Sequence, residues 1–191
     1  MRTVRGLVVA MLMVATVLGV STAEGASSDR VDPRGDLWEP HGFHGWDRAD
    51  PVPNADLRRL TVRNRAHRID IVATYANLRA NDDESDLNLD LRTQRGRWTL
   101  SAQFNPFSPD GYFALGTVSD LVDCDLTGSV NYDREVLRVT VPQSCVHGAR
   151  WLRYRGFHRR YNEEAGVWYD DVLSASHPSS EWSERVRRSA R

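Results

Sequence analysis

Apolar and polar side chains alternate with a period of two along four stretches of this chain. Leu87, Leu89 and Leu91 alternate with Asn88, Asp90 and Arg92. Trp98, Leu100, Ala102 and Phe104 alternate with Thr99, Ser101 and Gln103. Ile69, Ile71, Ala73 and Tyr75, and then Leu137, Val139 and Val141, repeat the pattern. Successive side chains of an extended strand point to opposite faces, so each stretch reads as a half-buried strand, apolar inward and polar outward. Turn chemistry separates them at Asn81-Asp82-Asp83, Arg95-Gly96, Asn105-Pro106 through Asp110-Gly111, and Tyr132 to Glu135. Weaker strands are read over 57–62, 112–118, 122–132, 151–157 and 167–169. About nine short strands with hairpin-length connections and no crossover-length helix predict an all-β fold, an antiparallel β-sandwich of jelly-roll-like type with one disulfide.

The ends of the chain read differently. Arg2 and Arg5 precede an apolar run from Leu7 to Val20, followed by the small residues Ser21 and Ala23. This is the three-part pattern of an export signal, with cleavage after Ala23 or after Gly25. A membrane anchor is the alternative, but a spanning helix needs about 20 apolar residues and Glu24 stops this run short. The expected organisation is a signal peptide over 1–23, an irregular Pro- and Gly-rich lead-in over 24–54, a β-sandwich domain over 55–173 and a flexible polar tail over 174–191. Within the tail, Trp182 and Val186 sit at helical spacing and offer a short docked turn as the alternative. The expected compartment is extracellular, with no membrane span after cleavage. Loss of Arg2 and Arg5 would take the formal charge from −1 to −3, and a near-neutral, mixed surface argues against nucleic acid as a partner. The 25 basic residues are all arginine.

Cys124 and Cys145 are the only cysteines. In an oxidising compartment they are expected to pair as a structural disulfide. A hairpin turn centred on Arg134 and Glu135 would pair residues whose numbers sum to about 269, which these two satisfy. A redox role lacks the Cys-x-x-Cys spacing.

No motif supplies a catalytic residue. His41 and His44 are three apart but among helix-breaking glycines and prolines, with no third ligand at a recognisable spacing. Acids gather at Asp82-Asp83-Glu84-Ser85-Asp86, at Asp120, Asp123 and Asp125, and at Asp170-Asp171. None has the glycine-punctuated spacing of a calcium loop, so no cofactor or metal is assigned, with calcium as the alternative, and the first group reads as a solvated turn. Asp36 and Asp56 flank the lead-in and would approach only if it folds back. The candidate ligand-binding residues are Trp151, Arg153, Tyr154, Trp168 and Tyr169, because aromatics fall on both faces of the strand from Trp151 and exposed rings beside arginine stack on sugars or anionic polymers. Core packing, with arginine stems lying over the rings, is the competing account.

Several motifs carry a resemblance: Asp32-Pro-Arg-Gly-Asp36-Leu-Trp38, Asn54-Ala-Asp56-Leu, Leu87-Asn-Leu-Asp-Leu91, Pro142-Gln-Ser-Cys145, Tyr169-Asp-Asp171 and Trp182-Ser-Glu-Arg-Val186. In this order they resemble secreted, β-rich, single-domain proteins of high-GC Gram-positive bacteria. The strand pattern is also similar to β-sandwiches of the carbohydrate-binding type. The resemblance implies a sandwich and a binding role, and no catalytic residue. The expectation is therefore a secreted, non-enzymatic protein that binds a glycan or cell-envelope polymer. The alternatives are an exported hydrolase with a carboxylate site and an accessory envelope protein that contacts another protein.

Overall fold

A computed structural model describes residues 27–32, 35–41, 45–50, 56–80, 83–164, 166–173 and 181–190. The signal-peptide reading over 1–23 and His44 lie outside them. The described residues form thirteen antiparallel strands and one short 3₁₀ turn. The strands are β1 (Ser27–Val31), β2 (Trp38–His41), β3 (Gly45–Arg48), β4 (Leu57–Asn64), β5 (Arg68–Tyr75), β6 (Glu84–Thr93), β7 (Arg97–Asn105), β8 (Ser108–Gly116), β9 (Thr127–Asn131), β10 (Val136–Pro142), β11 (Trp151–Asn162), β12 (Gly166–Asp171) and β13 (Val186–Arg187). They make a five-stranded sheet, β1-β4-β5-β10-β9, and an eight-stranded sheet, β3-β2-β12-β11-β6-β7-β8, with β13 on β11. The fold is an all-β antiparallel sandwich.

The alternation in the sequence becomes the core. Leu60, Val62, Ile69, Ile71, Leu137 and Val139 of the smaller sheet meet Leu87, Leu89, Leu91, Leu100, Leu152 and Tyr154 of the larger one, all essentially buried. Fully burying each aliphatic side chain contributes about 1.5–3 kcal/mol, which is what holds two sheets face to face. The β7–β8 connection is tighter than expected. Strand β8 starts at Ser108 because Asn105 Oδ1 accepts the backbone N–H groups of Phe107 and Ser108, at 2.9 and 2.8 Å, and closes a two-residue turn.

Both flanks join the sheets. The lead-in, expected to be irregular, supplies β1, β2 and β3. Leu37 packs with Trp168 and Ala49 in a second small core, and Ala49 donates its N–H to Leu37 O. The described part of the tail, expected to be loose or helical, docks through the two-residue strand β13. Val186 is buried, Asn64 Nδ2 donates to its carbonyl, and Ser183 Oγ accepts the Tyr154 N–H. Buried backbone must be hydrogen-bonded, and here β4 and β11 supply the partners that the tail's own composition does not reveal.

Cys124 and Cys145 form the expected disulfide. The register that suggested it is different, however. Val136 pairs with Asn131 and Leu137 with Val130, so paired numbers sum to 267. Strand β9 is also shorter than 122–132. Glu135 adopts the left-handed conformation at the turn, and both cysteines lie beyond the ladder, Cys145 in the 3₁₀ turn Gln143–Val146. The bond clips the loose approach to β9 onto the exit from β10. Replacing both cysteines by serine is expected to lower unfolding free energy by about 3 kcal/mol, as loop closure over 21 residues of separation requires. Urea unfolding of the two forms measures it.

Candidate functional site

Strand β11 sets the outer surface of the larger sheet. Residues directly opposite in an antiparallel pair share a face. Leu152, Tyr154, His158 and Arg160 point inward, and Trp151, Arg153, Arg155, Phe157, Arg159 and Tyr161 point outward. Tyr169 stands opposite Arg159 and Trp38 opposite Tyr169, so both join the outer row. Trp46, opposite Pro40, joins it as well.

This face carries a chain of half-buried rings. Trp46 meets Tyr169 edge to face at 5.1 Å, and Tyr169 meets Phe157 at 5.5 Å. The Arg155 guanidinium lies 4.7 Å from the Trp182 ring, and Arg185 lies 4.6 Å from Trp151. From Trp151 to Tyr161 the row is about 34 Å long, at about 3.4 Å per residue. Two of its arginines are matched within the sheet, whereas Arg153, Arg92 and Arg97 stand directly opposite one another across three strands. Arg155 pairs with Asp90 at 3.0 Å, and Arg159 pairs with Glu84 and Asp86. Beyond Tyr161 the row opens into a groove of about 630 Å³ lined by Glu84, Phe107, Tyr161, Glu163 and Glu164, where Phe107 is 97 % exposed.

Two of the five residues expected to face a ligand do not. Tyr154 is 0 % and Trp168 5 % exposed. Both stand on inward positions, Trp168 directly opposite Arg160. Tyr154 reaches across the sandwich to Ser28 Oγ at 2.8 Å. Trp168 donates its indole N–H to Glu39 and lies under the Arg160 guanidinium at 4.4 Å. Trp151, Arg153 and Tyr169 remain on the outer face. The solvated acidic turn is also corrected. Asp83 and Asp86 are buried, Asp83 accepting from Arg160 Nε at 2.9 Å and from Asn162 at 2.7 Å, and Asp86 paired with Arg159. The burial is possible because each carboxylate has a hydrogen-bonded partner.

A second constellation, inside the sandwich, was not assembled from the sequence. The lead-in does fold back, and it brings Asp32, Asp36, Asp56 and Asp170 together. One carboxylate oxygen from each lies within 4.8 Å of those of the other three. Asp32 follows β1, and its N–H is held by Arg58 O at 3.0 Å. Asp36 follows the left-handed Gly35, beside buried Leu37. Asp56 precedes β4, its carbonyl accepting from the Ala76 N–H at 2.9 Å. Asp170, on the inward face of β12, accepts the Leu57 N–H at 2.6 Å. All four are buried, at 6 % exposure or less.

Burial and mutual repulsion raise the carboxyl groups of Asp32, Asp36 and Asp170. Asp32 is raised by desolvation and then by the charge of Asp36. Asp170 is raised by desolvation and then by Asp32, although the Leu57 N–H opposes it. Asp36 is raised chiefly by desolvation. Arg58 stands 3.9 Å from Asp56, and the charges of Arg48 and Arg58 oppose the rise at Asp36. Neighbouring Tyr75 is raised by burial and by Asp170, and its hydroxyl lies 3.3 Å from His158 Nδ1. With so little of the carboxylates exposed, a polymeric substrate has no reach to them, and hydrolysis needs contact. An oxygen-only donor set of this kind suits a hard cation. Asp36 and Asp56 had been noted as a pair, but their meeting with Asp32 and Asp170 depends on β2 and β12 becoming neighbours, which no local spacing encodes. Compared with protein-family models and with curated proteins, the chain has no match.

Proposed function

We infer that the protein is an exported, non-enzymatic β-sandwich that binds an extracellular or cell-envelope glycan along the outer face of β11 and β12. The observation that carries this reading is the set of half-buried rings on one face, Trp46, Tyr169 and Phe157 in mutual contact and Trp182 and Trp151 beside Arg155 and Arg185. A ring held edge-on by a neighbour or capped by arginine still offers an apolar surface on which a sugar can stack. Export is supported by the N-terminal pattern of the sequence and by a disulfide, a bond that persists in oxidising compartments.

The test is retention of the purified protein on insoluble polysaccharides and on isolated cell wall. Trp151→Ala and Tyr169→Ala are expected to keep thermal midpoints within a few degrees of the parent, as half-exposed sites do, and to lower retention at least about tenfold, the equivalent of about 1.4 kcal/mol. Absence of retention on every polymer removes the reading. Equal retention by both variants moves any binding away from this face.

A further inference from the structure

We propose that Asp32, Asp36, Asp56 and Asp170 form a calcium site that ties the folded-back lead-in to the sandwich. The geometry is the first argument. Calcium–oxygen distances are about 2.4 Å, so oxygens on opposite sides of one ion stand about 4.8 Å apart. The four carboxylate oxygens all lie within 4.8 Å of one another, the span of one calcium coordination sphere. Magnesium dehydrates reluctantly and usually keeps several waters, so a buried cage of four carboxylates suits it less. Zinc favours nitrogen and sulfur ligands in a tetrahedron, and this set offers oxygen alone.

The second argument is independent of the clustering. Asp36 is 2 % exposed, and neither of its carboxylate oxygens has a hydrogen-bond partner outside its own backbone N–H. Asp32 and Asp170 face each other within hydrogen-bond range, and no donor from another residue reaches Asp32 Oδ2 or Asp170 Oδ1. Elsewhere in the molecule the buried carboxylate of Asp83 is satisfied by Arg160 and Asn162. Leaving a carboxylate buried and unsatisfied is costly, and at this cluster an ion would satisfy several such oxygens at once. The four ligands come from the exit of β1, the entry to β2, the entry to β4 and from β12. A cation here would therefore fasten three crossings of the chain at one point. The same edge of the larger sheet carries Trp38, Trp46 and Tyr169, but the site does not depend on what that face binds.

The competing account is that protons, shared among the acids, hold the cluster together. The two are separated with the intact protein, stripped with EDTA and dialysed, at about pH 7.5. Calorimetric titration with calcium chloride is expected to show one site per chain with Kd at or below about 10⁻⁴ M, and a thermal midpoint at least about 5 °C higher in excess calcium. Magnesium chloride is expected to bind at least tenfold more weakly. Asp36→Asn and Asp170→Asn are expected to lose at least tenfold in calcium affinity, while Asp123→Asn, at an exposed acid, retains it. Asn is isosteric and removes a buried charge, so both variants should fold. If either fails, Asp32→Asn with terbium luminescence of the parent, competed by calcium, reads the same site. No calcium heat and no midpoint shift in the parent would assign the cluster to protons and overturn the proposal. So would undiminished calcium binding in Asp36→Asn.

Discussion

Gly156→Ala is expected to destabilise the protein by at least about 3 kcal/mol, at the upper end of the cost of overpacking, and Gly156→Val to prevent folding. Gly156 stands directly opposite Leu89 in the β6–β11 ladder. A Cβ there would lie 1.9 Å from Asn88 O and 3.0 Å from the Leu89 Cα. These are backbone atoms of a central strand, so no rotamer change relieves the contact. β11 would have to move away from β6, opening the ladder that runs from Leu152–Thr93 to Tyr161–Glu84. Both the core and the outer aromatic row are mounted on that ladder. Gly116→Ala is the comparison, because its added Cβ meets Asp120 O at 3.3 Å, near a strand end, where a few tenths of an ångström can be given. Urea unfolding of the two variants measures the difference. An unchanged midpoint for Gly156→Ala would mean that the two strands are farther apart than described.

In EDTA, stability is expected to fall as pH rises from about 4 to about 8. Asp32 is pushed up to about 8 from the usual 3.8, and Asp170 and Asp36 are also raised. Below pH 4 these groups are protonated in both the folded and the unfolded chain, so they impose no difference. Above it the unfolded chain releases protons that the folded chain keeps. The folded state then binds more protons, and linkage makes its stability decline with pH. The slope is at most about 1.4 kcal/mol per pH unit for each such group, and repulsion makes the three titrate as a set rather than singly. Thermal midpoints between pH 4.5 and about 8.5 in EDTA measure the slope. A flat profile would mean that these carboxyl groups are solvated. Calcium, if it binds there, competes with the same protons and flattens the decline.

The alternating stretches by themselves determined that the chain is a two-layered antiparallel β protein. Leu87 to Leu91, Trp98 to Phe104, Ile69 to Tyr75 and Leu137 to Val141 each bury the face that their period implied, because strand parity is a local property. The cysteine pairing was legible as well, although from the scarcity of cysteines rather than from the hairpin register, which is shifted by two. Trp151 and Arg153 could be placed on one face of their strand, but parity alone did not say which face of β11 was the core. Leu152 and Tyr154 decided it once the smaller sheet lay over them, and Trp168 followed through its pairing with Arg160.

What only the tertiary structure decided are the partnerships between distant segments. The lead-in, rich in chain-breaking residues, becomes strand because β4 and β12 offer it hydrogen-bonding edges. The tail docks because Asn64 and Tyr154 complete its backbone hydrogen bonds. Asp32 and Asp170 are 138 positions apart in the chain, and nothing in the neighbourhood of either signals the other. Periodicity reports which way a side chain points relative to its own strand. It carries no information about which strand arrives opposite, and the carboxylate cluster depends on that alone.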